Sequence, residues 1–97
     1  MTPIKFNTPI WQHTGPGGWW FLTLPADLSE ELRSVYSHLS PGWGSLPVKV
    51  TVGGTSWKTS IFFDTSRAAF LLPMKAEVRK REKLVEGTSV ETLLEVN

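Results

Sequence analysis

The sequence predicts a mainly β protein: a small closed or double-split β-barrel of about six strands, with two short capping helices, pseudo-duplicated. Three observations carry that prediction. Short apolar runs recur between turn signals, and 8 Gly and 7 Pro punctuate a chain of only 97 residues. Only two stretches show a helical apolar period. The third observation is an echo. "FLTLPADLSEELRSV", from Phe21 to Val35, is answered by "AFLLPMKAEVRK", from Ala69 to Lys80. Each has an apolar run, a Leu-Pro step and an amphipathic segment with an apolar–Arg pair.

The first strand is "IKFNTPIWQ", Ile4 to Gln12, where Ile4, Phe6, Thr8 and Ile10 alternate onto one face. Pro9 cannot donate to a ladder, so this strand is expected at an edge or at a bulge. "HTGPGG" is a loop by composition, and "WWFLTLP", Trp19 to Pro25, is a second strand. A helix follows in "DLSEELRSVYSHL", with Leu28, Leu32, Val35, Tyr36 and Leu39 on one stripe. Asp27 and Glu30 are spaced for a capping box, in which each side chain satisfies an orphan amide at the helix start.

"SPGWGSLP" ends the helix and leads into the clearest hairpin, "VKVTVGGTSWKTSIFF". Val48, Val50 and Val52 alternate inward, Gly53-Gly54 suits a type I′ turn, and Trp57, Ile61 and Phe63 alternate on the return. After the "DTSR" turn, "AAFLLP" is another apolar strand. "MKAEVRKREKL" reads as a short basic helix with Met74, Val78, the Arg81 stem and Leu84 or Val85 turned inward. "VETLLEV", Val90 to Val96, is the final strand.

The echo aligns these elements in two halves. Leu24-Pro25 answers Leu72-Pro73, Leu32-Arg33 answers Val78-Arg79, and Gly42 or Gly44 precedes Val48 as Gly87 precedes Val90. A proline at the strand end removes a donor and biases its neighbour away from the α conformation, so each helix must begin after it. Each helix then covers one barrel opening, and closing the sheet removes exposed edges.

Composition bounds function. With 40% hydrophobic and 20% charged residues, the chain is that of a single folded domain spanning 1–97, not a disordered one. Ten Lys+Arg against nine Asp+Glu leave a net charge of +1, so nucleic acid could be met only by a local patch. No cysteine is present, which excludes disulfides, thiolate chemistry and Cys-based zinc sites. No apolar leader or membrane-length run occurs, so a cytoplasmic location without membrane contact is expected.

Taken together, "GPGGWWFLTLPADLSEELR", "VKVTVGGTSWKTSIF" and "FLLPMKAEVRK…EGTSVETLLEV" resemble the bacterial and archaeal domain of unknown function 1905 family. Its members read aromatic-Leu/Val-x-Leu-Pro, a Gly-Gly or Asn-Gly hairpin, Leu-Pro-helix-Arg-Lys, then Gly-Asp-x-Val and a last strand. The resemblance covers roughly residues 4–96. It implies a double-split barrel shaped like AbrB/MazE-type barrels, with both halves in one chain, and it implies no activity. Two positions depart from the pattern: Thr88 stands where an acidic residue usually follows the Gly, and Arg67 where a Gly is common.

No constellation points to an enzyme, and no catalytic residue, metal ligand set or cofactor is assigned. His13 and His38 are the only histidines, both in turn-like sequence. Adjacent Glu30 and Glu31 point in different directions on a helix. Asp64 opens a turn, where Asp serves local backbone bonding. "GPGGWW" leads into a strand, the wrong context for a phosphate loop. Lys75, Arg79, Lys80, Arg81 and Lys83 outnumber Glu77 and Glu82 and could meet phosphates. The blander and preferred reading is a solvated helix with a Glu77–Arg81 pair.

The five tryptophans offer the other site. Most are expected in the core. Trp19 and Trp20 are adjacent, so a strand points them to opposite faces. The outward member, with glycine-flanked Trp43, is a candidate stacking platform. The function expected is therefore a non-enzymatic binding or interaction module, monomeric or weakly dimeric, for a small molecule or protein. Weak nucleic-acid binding through 75–83 is the alternative.

Overall fold

The computed structural model describes residues 3–36 and 45–96. Six strands and two helices follow in the order β1 (Ile4–Gln12), β2 (Trp20–Thr23), α1 (Ala26–Tyr36), β3 (Ser45–Val52), β4 (Thr55–Asp64), β5 (Ala69–Pro73), α2 (Ala76–Arg81) and β6 (Ser89–Val96). The strands close into a barrel in the order β1-β2-β5-β4-β3-β6, all neighbours antiparallel. This is the mainly β barrel with two helices that the sequence predicts.

The duplication is visible in the pairing. Exchanging β1 with β4, β2 with β5 and β3 with β6 carries the strand order onto itself. The registers obey the same exchange. Ile10 opposite Leu22 becomes Phe63 opposite Phe70, and Phe6 opposite Thr92 becomes Thr59 opposite Val48. Two pairs map onto themselves, Thr23–Leu71 and Val50–Leu94, so the internal two-fold axis passes through both.

Alternation fills the inside. Phe6, Ile10, Leu22, Val48, Val50, Ile61, Phe70, Leu72 and Leu94 are all buried and form one cluster. Phe63 packs its edge on Phe70 at 5.3 Å. Because β2 and β5 are antiparallel, the helices that follow them leave at opposite ends of the barrel. α1 inserts Leu28 and Leu32, and the α2 segment inserts Met74 and Val78. Burying each such side chain contributes about 1.5–3 kcal/mol.

The Leu32-Arg33 and Val78-Arg79 echo now has a physical meaning. Leu32 and Val78 are buried, and the arginine after each lies over a barrel ring: Arg33 at 4.5 Å from Phe63, Arg79 at 4.6 Å from Trp20. Each helix is thus held by an apolar peg and a cation over an aromatic face.

Several details differ from expectation. α1 begins at Ala26, so Asp27 sits inside the first turn and accepts from the Leu28 amide at 2.9 Å instead of forming a capping box with Glu30. Val35 is exposed, because Leu28, Leu32 and Tyr36 suffice to cover the barrel mouth. Leu39, His38, Gly42, Trp43 and Gly44 lie outside the described residues. In the β3–β4 turn only Gly53 has positive φ (57°), as in a type II′ rather than a type I′ turn. α2 stops at Arg81, and Lys83 (φ 55°) turns the chain away. Val85 is consequently exposed, Leu84 packs on the core, and Arg79 rather than Arg81 lays its stem inward.

Candidate functional site

Prolines open the barrel wall. In the tight hairpin, Val52 and Thr55 flank the two-residue turn, so Thr55, Trp57, Thr59 and Ile61 bond to β3. The main-chain groups of Lys58, Ser60 and Phe62 therefore face β5. Of the ten residues of β4, only Phe62, Phe63 and Asp64 pair with β5. The next position on β5 facing β4 is Pro73, which has no N–H to give. The ladder stops there, and the first half of β4 runs on without a neighbour on that side. Pro9 does the same on β1: its missing donor faces Thr23, and the β1–β2 pairing ends at Ile10–Leu22. The edge position expected for Pro9 is thus a seam within a closed barrel.

Each seam holds a cleft. The one at β4 has a volume of about 620 Å³ and is lined by Trp19, Phe21, Thr59, Ser60, Phe62, Leu71 and Pro73. Its wall is made by outward-facing residues of three strands in register, Phe21 opposite Pro73 and Leu71 opposite Phe62. Trp19 is 60% exposed and Phe62 47%. The cleft at β1 is smaller, about 410 Å³, and its lining includes Lys5, Asn7, Asp27 and Glu31. There α1, five residues longer than the six-residue α2, lays Leu28 and Glu31 over the gap.

One end of the apolar wall is braced by an ionic and aromatic network. Trp11 packs on Phe21 at 5.2 Å and donates its indole N–H to Thr23 Oγ1 at 2.8 Å. Arg67 lies 4.4 Å over Trp11 and pairs with Asp64 at 2.6 Å. Asp64 also accepts from the Ser66 hydroxyl and amide at 2.7 and 3.0 Å. The Ser66 hydroxyl, then the Arg67 guanidinium, hold the Asp64 carboxyl down at about 2. The turn takes its left-handed residue at Ala68 (φ 52°), so no glycine is needed where Arg67 stands. At the other family departure, the Thr88 carbonyl accepts the Ile10 amide at 3.0 Å, and nearby Glu86 accepts the Gln12 amide at 3.1 Å.

The residues singled out in the sequence fall as follows. Trp19 is the outward tryptophan and lines the cleft, while Trp20 is half-buried beneath Arg79. Trp11 is half-buried behind Phe21, and Trp57 packs against the core. The five cations of 75–83 are not gathered on one helix face. Lys75 is the residue before α2 and Lys83 lies beyond its end. Arg79 donates Nε–H to the Met74 carbonyl at 3.1 Å, and Arg81 pairs with Glu77 at 3.2 Å. Lys80 is exposed. His13 is exposed in the β1–β2 loop. Among the described residues no three His, Asp or Glu side chains gather as metal ligands, and no helix is long and apolar enough to cross a membrane.

Phe21, Phe62, Leu71 and Pro73 are the wall residues that sequence reasoning passed over. The signal was present in "WWFL", "IFF" and "FLL": where apolar residues are consecutive in a strand, alternation must send some of them outward.

Fold and cleft together define a class: an internally duplicated six-stranded barrel, split at two proline-ended seams, with an aromatic cleft at one of them. The family model described as domain of unknown function (DUF1905) matches residues 6–94. The chain belongs to that family. No curated protein matches it.

Proposed function

We propose that this chain is a non-enzymatic binding or interaction module, a single cytoplasmic domain, monomeric or weakly dimeric, whose ligand site is the aromatic cleft at the β4–β5 seam. One observation supports this reading above the others: a cleft of about 620 Å³ is walled by Trp19, Phe21, Phe62, Leu71 and Pro73. Apolar lining with a few polar groups, here Thr59 and Ser60, is the usual make-up of a ligand pocket. Trp20 lies beneath Arg79 and lines a separate, smaller cleft with Trp19 and Lys75; Trp43 lies outside the described residues.

The test uses anilinonaphthalene sulfonate as an apolar probe. Wild-type protein enhances its emission, and a Trp19→Ala/Phe62→Ala double variant loses that enhancement while keeping its melting temperature. Equal enhancement by both proteins removes the cleft as the site.

The nucleic-acid reading keeps some support, because Lys75, Lys80 and Lys83 are exposed and outside every ion pair among the described residues. It predicts binding of a single-stranded oligonucleotide that weakens steeply with salt and is lost in Lys80→Glu/Arg81→Glu. Unchanged binding in that variant eliminates it.

A further inference from the structure

We infer that the open seam takes an extended peptide by strand addition to β4, with an apolar side chain in the cleft and an acidic side chain two residues away. This deepens the proposed function and rests on the cleft being the ligand site.

The main chain argues for a peptide. The N–H and C=O of Lys58 face the seam, since the hairpin register directs those of Trp57 and Thr59 to β3. Across the seam, the position that would face Lys58 is Lys75, past the end of β5. Among the described residues no backbone bond joins them. A bare antiparallel edge of this kind accepts one more strand, and main-chain bonds supply affinity while alternate side chains supply specificity.

The side chains argue for its chemistry. Outward positions of β4 run Phe62, Ser60, Lys58. On an added strand, the side chain beside Ser60 and Phe62 enters the apolar cleft. The one two residues further along reaches Lys58. Lys58 and Lys75 are exposed, in no ion pair among the described residues, and have no acidic residue in register. Lys58 lies opposite Lys49, which has Glu95 in register on its other side, so Lys58 is the cation of that row that an acidic residue on the added strand would meet.

A second copy of the chain fits poorly. Pairing two β4 edges about this region sets lysine against lysine, the arrangement by which exposed edges resist self-association. A nucleic-acid strand lacks the alternating N–H and C=O groups that would continue a β ladder.

The probe is an acetylated, amidated heptapeptide with Phe at its third and Glu at its fifth position, the rest Ser and Thr. Two further peptides carry N-methyl groups on alternate amides, in opposite phases. The readouts are tryptophan emission, assigned with Trp19→Phe, and amide exchange at Lys58. The parent peptide is expected to shift the emission and slow exchange at Lys58. One N-methyl phase should weaken binding by about tenfold or more, the other far less. Lys58→Glu should weaken the parent peptide and favour one with Lys in place of Glu.

If both N-methyl phases bind like the parent, strand addition is wrong while the cleft stands. If the sulfonate probe binds but no peptide does, the peptide inference fails alone. If neither binds, the cleft reading fails with it. Competition by a single-stranded oligonucleotide at the same cleft would likewise overturn the peptide assignment.

Discussion

Arg79 offers the sharpest test of how the basic segment is used. Its Nε–H bonds the Met74 carbonyl at 3.1 Å, and its guanidinium lies 4.6 Å over Trp20. The first contact involves a charged donor in a half-buried setting and contributes about 1 kcal/mol net. The second, partly exposed, adds about 0.5 kcal/mol. Arg79→Ala should therefore destabilise by about 1.5 kcal/mol, a fall in melting temperature of about 6–12 °C for a domain of this size. Arg79→Lys keeps the charge but loses the planar fork, and should recover less than half of that. The assay is thermal melting followed by circular dichroism, with urea midpoints as a check. A phosphate-binding arginine would behave oppositely, lowering affinity while leaving stability unchanged. If Arg79→Ala melts within about a degree of wild type, the structural role argued for it is wrong.

Three other perturbations test separate parts of the reasoning. Gly53→Ala meets two obstacles, a positive φ of 57° and a Cβ directed into the Glu82 carboxyl, which also accepts from Thr55 Oγ1 at 2.6 Å. A loss of about 2 kcal/mol is expected in urea unfolding, partly restored by Glu82→Ala. Thr8 Oγ1 is buried with no hydrogen-bond partner among the described residues, so Thr8→Val should stabilise by about 1 kcal/mol, read as a higher urea midpoint. Asp64 is held at about 2 when folded, below its ordinary value near 4, so its stabilisation is complete above pH ~4 and is lost as pH falls towards 2. Asp64→Asn should therefore melt at a lower temperature at pH 6, the gap closing across that window.

Much of the fold was legible because local and global signals agree. The Leu-Pro steps, the Val48–Val52 alternation and the Leu28/Leu32 peg each belong to a period or a backbone restriction that survives packing. Other features turned on facts that no single segment contains. Whether Trp19 or Trp20 faces out depends on the register of β2 against β5 and on Arg79 arriving from α2. The length of α2 was overread because charge and apolar spacing continue through Leu84, while Lys83 adopts a left-handed conformation. The cleft does not show in the sequence because a near-continuous apolar run such as "WWFL" reads equally well as a strand buried on both faces. A four-residue β2 beside a proline-ended β5 cannot cover its own outer face.

The internal two-fold also separates what the fold requires from what the cleft adds. Under the exchange of halves, Trp19 corresponds to Arg67, Phe21 to Ala69 and Phe62 to Pro9, while Pro73 corresponds to Pro25. A proline at or just past the end of the short strand therefore recurs at both seams, whereas Pro9, which ends the β1–β2 ladder, has Phe62 as its counterpart on β4. The aromatic residues do not recur. At the β1 seam the same wall positions are filled by a cation, a methyl group and a proline, and the barrel closes regardless. Packing on Trp11 accounts for Phe21, but closing the barrel gives no reason for aromatic side chains at the exposed Trp19 and Phe62. Exposing Trp19 and Phe62 to water carries a solubility risk that charged residues would avoid, as Lys5 and Glu31 do at the β1 cleft. The asymmetry is what the proposed ligand site at β4 would produce when grafted onto a symmetric scaffold.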